Sequence, residues 1–423
     1  MTTAPAMLPL VSRTVPLPDP GALLELLPAQ AALAWVRRGE GLVGWGEAAR
    51  VSTSGSGRFA DAQQAWSQLM ARSVIRDEVR LPGTGPVAFG SFAFSPKSEA
   101  GGVLVVPEVL IGHKAGTWWL TTIGAGAVLP PIRHIAPAAP PIPATATVTF
   151  ADGLRSSAEW ECVVADAIAR IGAGSVEKVV LARDLLAHSS EPIDPRRLLI
   201  RLAERYPGCW TFSVDGLLGA TPEMLVKLER GLVTSRVLAG TIRRSQDDAH
   251  DLALAASLAR SSKDLEEHEY AVRSVADALA PYCTTTNVPE SPFVLHLANV
   301  MHLATDVTGV LADGGTSLQL AEALHPSAAV CGTPTAAAAD LIDEVEGMDR
   351  DRYAGPVGWL DARGDGEWGI ALRCARIDPD DAHSLRLFAG CGIVAGSDPA
   401  AELAESNAKL LPIREALESA SPP

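Results

Sequence analysis

The chain has 423 residues, of which 47% are hydrophobic and 20% are charged. This apolar fraction is enough for a large core, so wholesale disorder is excluded, and the length allows two or three domains. The 50 acidic residues outnumber the 35 Lys and Arg residues. The resulting formal net charge of -15 argues against nucleic acid as the main partner.

Targeting and redox signals in the sequence are sparse. No apolar run reaches the roughly 18 residues that a membrane-spanning helix needs, and the first 20 residues lack the basic and apolar regions of an export signal. The six cysteines are scattered singly, so neither a zinc site nor a disulfide framework is indicated. We therefore expect a cytoplasmic protein with reduced thiols and no membrane partner.

The first part of the chain is predicted to be mostly β-sheet. Short β-like runs alternate with Gly and Pro, and one helix is predicted near residues 61–76. Six prolines then cluster in residues 129–148, a density that excludes a helix interior or a central strand. We therefore divide the sequence into a β-rich N-terminal subdomain, residues 1–150, and a larger second region, residues 151–417.

Helices and strands come in blocks in the second region. A last helix is predicted to begin at Asp398-Pro399, with Asp as N-cap and Pro at the first helical position. Strands are predicted between the helices, without strict βαβ alternation, and this pattern predicts an α+β fold with large antiparallel sheets. The other predicted helices cover residues 157–171, 195–204, 247–280 and 318–324.

Two titratable residues have surroundings that permit acid–base chemistry. Lys178 lies in a predicted strand on the same face as Val180 and Ala182, where loss of hydration favours the neutral amine. A strand-end lysine that reaches solvent is the simpler explanation of the same pattern. Glu223 follows a strand at a turn. If it is buried it can serve as a general acid, although Thr-Pro-Glu also commonly opens a turn.

Two helical segments each carry a pair of acidic residues on one face. Asp264 and Glu267 are three residues apart, and so are Glu402 and Glu405. If the two faces converge, their few carboxylates leave several positions for water, which suits Mg²⁺ better than zinc or calcium. Each pair alone is also typical of a solvated helix face.

Two glycine-rich stretches and one arginine indicate a site for anions. Residues 238–241 and 389–399 allow backbone N–H groups to approach an anion, and the second stretch leads into the last helix. Neither stretch is a nucleotide-binding loop. Arg373 lies in an otherwise apolar strand, where it is suited either to clamp a carboxylate or to form a structural ion pair.

A co-linear series of motifs resembles the chorismate-utilising enzymes, which include isochorismate, salicylate, anthranilate and aminodeoxychorismate synthases. The segments GWGEAARV and PVAFGSFAF resemble the isochorismate synthase branch. The resemblance implies the anthranilate synthase component I-like fold, a single body of two α/β subdomains around a central cleft, with residues 151–417 as the chorismate-binding catalytic region. The motifs are KVVLAR, GATPEML, LAGTIRR, SSKDLEEHEYAV, LHPSAAVCGTP, RYAGPVGWLDARGDGEW, ALRCARI and AGCGIVAGSDPAAELAESNAKL.

The resemblance also implies roles for individual residues. Lys178 matches the base that activates water at C2 of chorismate, and Glu223 matches the acid that protonates the departing C4 hydroxyl. Glu267 and Glu405 match Mg²⁺ ligands, with Asp264 and Glu402 acting through water. His325 matches a histidine near the reacting ring. The remaining substrate-binding positions match Gly240, Thr241, Ala329, Tyr353, Arg373, Gly390, Gly392 and Lys409.

Within the family, the resemblance favours isochorismate synthase. Ala239 replaces the nucleophilic lysine of aminodeoxychorismate synthases, and residues 269–279 differ from the motif of the ammonia-using members. We therefore expect water as the nucleophile and no glutamine amidotransferase subunit. Ala329 favours a synthase, whereas Tyr353 and Leu372 are also compatible with a salicylate synthase, which goes on to eliminate pyruvate.

A non-catalytic chorismate-binding paralogue is the third alternative, and the presence of both Lys178 and Glu223 argues against it. The resemblance further implies a monomer. It leaves open whether the product feeds menaquinone or siderophore synthesis.

Overall fold

The computed structural model describes residues 8–30, 32–126, 128–132, 135, 147–245, 247–296, 300–312 and 314–418. Local hydrogen bonds set the starts of several helices. The Ser156 hydroxyl accepts from the Glu159 N–H while the Glu159 carboxylate accepts from the Ser156 N–H, a capping box that begins the helix at Ser157. The Asp398 carboxylate likewise accepts from the Ala401 N–H at 2.9 Å.

Among the described residues the chain forms eight α-helices and two short 3-10 helices. The 3-10 helices are Leu23–Leu26 and Ala280–Tyr282. The α-helices are α1 (Arg58–Ala71), α2 (Ser157–Gly172), α3 (Pro195–Arg205), α4 (Asp248–Leu258), α5 (Ser262–Leu279), α6 (Ser317–Ala323), α7 (Thr335–Val345) and α8 (Pro399–Leu417).

The strands of the described chain belong to two sheets. In chain order they are β1 (Leu10–Pro16), β2 (Leu33–Arg37), β3 (Glu40–Trp45), β4 (Ala49–Thr53), β5 (Val74–Asp77), β6 (Val87–Phe92), β7 (Gly102–Val106), β8 (Val109–Lys114), β9 (Thr117–Ala125), β10 (Val148–Asp152), β11 (Lys178–Ser189), β12 (Trp210–Val214), β13 (Leu217–Thr221), β14 (Met224–Glu229), β15 (Leu232–Arg243), β16 (Cys283–Asn287), β17 (Phe293–His296), β18 (Val300–Leu311), β19 (Gly332–Thr333), β20 (Pro356–Asp361), β21 (Gly366–Ile370), β22 (Cys374–Ile377) and β23 (Ser384–Ile393).

Both sheets combine strands from the two parts of the sequence. The first sheet has the order β10-β11-β23-β22-β13-β12-β2-β3-β8-β9-β1-β5, with β19 beside β11. The second has the order β16-β18-β15-β14-β21-β20-β6-β7-β4, with β17 beside β18. Pairing crosses residue 150 where β2 meets β12 and where β6 meets β20. Apart from the parallel pair of β1 and β5, the pairings are antiparallel, which confirms the predicted fold class.

One helix prediction is wrong. The single helix predicted over residues 247–280 is two helices, α4 and α5, separated by a turn at residues 259–261. In that turn the Arg260 N–H donates to the Ser257 carbonyl, and the Ser261 N–H donates to the Leu258 carbonyl. Ser261 precedes the first residue of α5, and a serine there favours a new helix start over continuation of the old helix.

The two sheets enclose a core rich in aromatic residues. Trp35, Phe212, Phe92 and Trp368 are each at most 1% exposed. No helix in the described part of the chain combines the length and the apolar content that crossing a membrane requires.

Candidate active site

Lys178 is the first residue of β11 and lies between two partner strands. On one edge it pairs with Thr333 of β19. On the other edge Val180, two residues further along β11, pairs with Gly392 of β23. A Cβ atom at Gly392 would lie 3.0 Å from Cε of Lys178, so the lysine side chain runs across this glycine. The absence of a side chain at Gly392 therefore creates the space that the lysine occupies.

Glu223 lies in the tight turn between β13 and β14, and its backbone is anchored on both sides. Its N–H donates to Oγ1 of Thr221 at 3.2 Å, and its carbonyl accepts from the Ile370 N–H at 3.1 Å. Burial raises the pKa of the Glu223 carboxyl to about 7, while the positive charges of Arg373, Lys178 and Lys409 act in the opposite direction. The structure thus brings this carboxyl and three of the predicted cationic residues together. Near neutral pH, a carboxyl with this pKa is available as a proton donor.

Helix α8 contributes a second group of polar side chains. Nζ of Lys409 lies 2.7 Å from Oε1 of Glu405 and donates to the Gly390 carbonyl at 2.9 Å. Oε1 of Glu402 accepts from the Ser397 hydroxyl at 2.8 Å. Lys409 therefore connects the acidic face of α8 with the glycine-rich strand β23.

The carboxylates of α8 provide donors that suit a divalent cation. Donor atoms of Cys391, Glu402 and Glu405 lie within 4.8 Å of one another. Carboxylate oxygens are the ligands that Mg²⁺ prefers, whereas a thiol is a poor Mg²⁺ ligand. Burial also raises the pKa of the Cys391 thiol to about 12, which keeps it protonated. The two glutamates, without the cysteine, therefore fit the predicted cation.

The other predicted metal ligands cannot be compared with this cluster. Asp264 and Glu267 belong to α5, but their side chains lie outside the described residues. Their role as Mg²⁺ ligands stays a prediction.

Glycine is required at two positions of the site, at one because other atoms lie too close for a side chain and at the other because φ is positive. A Cβ atom at Gly390 would lie 3.0 Å from both the Leu181 carbonyl oxygen and Oη of Tyr353. Tyr353 is 4% exposed and stacks on Phe388 with ring centroids 5.3 Å apart, and burial raises the pKa of its phenol. Gly240 has φ of 75° and lies where the pairing of β15 with β18 is interrupted. The side chain of its neighbour Thr241 lies outside the described residues.

Arg373 has an unusual backbone conformation for a residue other than glycine. Its φ is 48°, in the left-handed region, and its carbonyl accepts from the Ala220 N–H at 3.2 Å. The prediction that Arg373 lies in a strand is therefore wrong, because this residue lies in the turn between β21 and β22. The guanidinium of Arg373 acts electrostatically on Glu223. A strained conformation at a residue that faces the site is consistent with a functional constraint.

His302 is a site residue that the sequence reasoning missed. It lies on β18 opposite Thr241 of β15. Burial, together with the charges of Arg373 and Lys409, lowers the pKa of its imidazole to about 4, although a hydrogen bond to the Gly240 backbone acts in the opposite direction. His302 is therefore a neutral polar group beside the site cations. The available signal in the sequence was a histidine flanked by the apolar residues Met301 and Leu303.

His325 lies in different surroundings from His302. Its Nε2 is 3.0 Å from the Phe94 carbonyl oxygen, and its ring lies near those of Phe59 and Phe94, with centroids 6.0 and 5.8 Å away. Burial lowers the pKa of its imidazole to about 4. Ala329, in the same loop, is exposed. The predicted contacts of these two residues with the substrate stay predictions.

Comparison with known proteins identifies a matching family and several relatives of this chain. The profile of the chorismate binding enzyme family matches residues 7–418. Isochorismate synthase DhbC of Bacillus subtilis is 44% identical over 258 residues, which cover 58% of this chain and 64% of that protein, just under two thirds. The salicylate biosynthesis isochorismate synthase of Pseudomonas aeruginosa is 35% identical over 400 residues, which cover 88% of this chain and 82% of that protein.

A solved structure shows the same fold. It is that of MenF, the menaquinone-specific isochorismate synthase of Escherichia coli. It matches with a TM-score of 0.79 at 24% identity, over 98% of this chain and 96% of that chain. The predicted fold is therefore confirmed.

Proposed function

Because the chain belongs to the family of chorismate-binding enzymes, we propose that it converts chorismate to isochorismate. The relatives named above support this reaction, since both carry the name isochorismate synthase. The observation that carries the proposal is the environment of Glu223. Its carboxyl has a pKa of about 7, so it still holds a proton near neutrality. The positive charge of Lys178, the predicted base, acts on this carboxyl.

In the proposed reaction, Lys178 removes a proton from water as the water oxygen bonds to C2 of the ring. The ring double bond shifts as the C4–O bond breaks, and Glu223 gives its proton to the departing hydroxyl, which leaves as water. One water enters and one leaves, so the reaction is an isomerisation. Proton return from Lys178 to Glu223 through solvent restores both groups.

Chorismate carries two carboxylates, and a protein with a net charge of -15 needs local positive charge to bind it. We assign this role to Arg373 and Lys409, with backbone N–H groups near Gly240 and Gly390. His302 lies beside these cations and, being neutral, adds hydrogen-bonding capacity without repelling them.

Glu405 of α8 and Glu267 of α5 would hold Mg²⁺ directly, and Glu402 and Asp264 would act on it through water. When bound, the cation supplies positive charge that offsets the carboxylate charge of the substrate. In the present structure Glu405 is paired with Lys409, so a cation at this site would compete with that ion pair.

Product analysis tests the proposal directly. Purified protein is incubated with chorismate and Mg²⁺, and the products are separated by chromatography. Isochorismate as the sole product supports the proposal. Salicylate with pyruvate would identify a salicylate synthase, and Mg²⁺-dependent binding without turnover would identify a non-catalytic paralogue.

Four further parts of the proposal concern the compartment, the oligomeric state, the partner subunit and the use of the product. We propose a cytoplasmic monomer that acts without a glutamine amidotransferase subunit, because residues 269–279 lack the motif of the ammonia-using members. Size-exclusion chromatography with light scattering tests the monomer. Both menaquinone and siderophore synthesis remain predicted destinations of the product.

A further inference from the structure

The strand that carries the proposed base has an edge that is only partly covered by other strands. On this edge β19 pairs with β11 at Lys178 and Val179, and β10 pairs with it from Leu185 to Ser189. Between these two pairings, the backbone groups of Val180 and Ala182 point to the same edge. Buried backbone groups need hydrogen-bond partners, so other parts of the chain must supply them here.

Four bonds supply these partners, and two of the four come from one ion pair. The Val180 carbonyl accepts from Nη2 of Arg350 at 2.6 Å, and the Ala182 N–H donates to Oε2 of Glu346 at 2.9 Å. The Val180 N–H donates to the Cys331 carbonyl at 2.8 Å, and the Ala182 carbonyl accepts from Nε1 of Trp160 at 3.0 Å. The Arg350–Glu346 pair therefore takes the place of a missing edge strand.

The pair itself is bidentate and completely enclosed. Nε and Nη2 of Arg350 lie 2.7 and 2.6 Å from the two oxygens of Glu346, and the side chains are 3% and 2% exposed. Nη1 of Arg350 also donates to the Val330 carbonyl at 3.0 Å. A single guanidinium thus connects β11, the loop that leads to β19, and the C-terminal end of α7.

We propose that Arg350 and Glu346 are positioning residues that hold β11 and so fix where the amine of Lys178 reaches across Gly392. The proposal rests on the proposed function, in which Lys178 is the base. A buried ion pair contributes little net stability compared with a well-packed apolar pair, so stability alone does not account for its presence here. Its hydrogen bonds instead fix the register of the strand two residues from Lys178.

Loss of this support should affect catalysis more than binding. A displacement of the base by about 1 Å can lower the rate up to about 100-fold. The cations that we assign to substrate binding, Arg373 and Lys409, lie on other elements, and no hydrogen bond of Arg350 or Glu346 in the described structure goes to either of them. We therefore expect kcat to fall while KM stays nearly unchanged.

Two conservative variants keep the test independent of folding. Arg350→Lys retains the charge opposite Glu346, but an ammonium cannot reproduce the planar fork that binds Glu346, Val180 and Val330 together. Glu346→Gln retains an acceptor for the Ala182 N–H. For each variant we expect kcat to fall by about 10- to 100-fold, with KM within about twofold and a shifted pH profile of kcat.

Asp361→Asn is the matched control. Asp361 is a fully buried acid that pairs with Arg363 at 2.9 Å, and it lies on β20 in the other sheet. The Asp361→Asn substitution should reduce thermal stability without changing kcat or the pH profile of kcat. A purely structural role for Arg350 and Glu346 predicts that all three variants behave like this control.

A labelling assay that needs no substrate distinguishes a failure of this proposal from a failure of the proposed function. The rate at which acetic anhydride labels Lys178, relative to the exposed Lys97, is measured by mass spectrometry across a pH series. An altered relative rate in Arg350→Lys and Glu346→Gln, but not in Asp361→Asn, supports positioning even if chorismate proves not to be the substrate. Unchanged labelling and unchanged kcat in whichever variants fold would overturn it.

Discussion

Replacing Glu223 with glutamine should change how the stability of the protein depends on pH. The native carboxyl has a pKa of about 7, against an ordinary value of 4.5, because burial disfavours its charged form. Between pH 4.5 and 7 the native state therefore holds a proton that the unfolded state has lost. The stabilising contribution of this proton is fully present below pH 4.5 and is lost as the pH rises through 7.

The structure sets the size of this effect. The step from 4.5 to about 7 corresponds to about 3 kcal/mol, since one pH unit is worth about 1.4 kcal/mol. Glu223 is half-buried, so solvent screening makes this figure an upper bound. The amide of Glu223→Gln cannot ionise, and the variant should lack this component of the pH dependence.

Guanidinium chloride unfolding, followed by tryptophan fluorescence at pH 5 and pH 8, measures how the free energy of unfolding changes with pH in wild type and in Glu223→Gln. Between these two pH values, wild type should lose up to about 3 kcal/mol of stability relative to Glu223→Gln. The exposed Glu25 offers a matched control, and Glu25→Gln should run parallel to wild type. Parallel curves for Glu223→Gln as well would refute the burial argument and, with it, the assignment of Glu223 as the acid.

Three other substitutions test individual residues of the site. Lys178→Ala should reduce turnover by at least about 100-fold while isothermal titration still detects chorismate binding, and near-normal turnover would remove Lys178 from the role of base. Glu405→Gln should lose both activity and the response of activity to Mg²⁺, so a normal Mg²⁺ titration would contradict its role as a ligand. Arg373→Gly and Arg373→Ala should both raise KM. The glycine variant should be about 1 kcal/mol more stable in chemical unfolding because φ is 48°, and equal stabilities would contradict the argument from backbone strain.

Much of the secondary structure could be predicted because its signals are local. The helix start at Ser157 depends on a capping box whose two residues are three positions apart, and the start at Pro399 depends on the adjacent Asp398. Helix α7 was missed although its alanine-rich sequence, TAAAADLIDEV, favours a helix. The break between α4 and α5 was missed because residues 247–280 contain neither Gly nor Pro to mark it.

The candidate site was predicted in part, and the difference between the two histidines shows why. His302 and His325 are both isolated histidines in the sequence, and the resemblance pointed to His325. Only the pairing of β18 with β15 brings His302 beside Gly240 and the site cations. The contacts described for His325 are instead with Phe94 and Phe59.

The sequence by itself determined the types of secondary structure, the family, and the residues able to act as acid, base and anion ligands. These properties depend on residue chemistry and on spacings of a few positions. The tertiary structure alone decided the pKa of Glu223, the path of Lys178 across Gly392 and the support of β11 by Arg350 and Glu346. Most of the contacts behind those properties join residues 150 or more positions apart, because desolvation and strand pairing arise only when distant segments pack together.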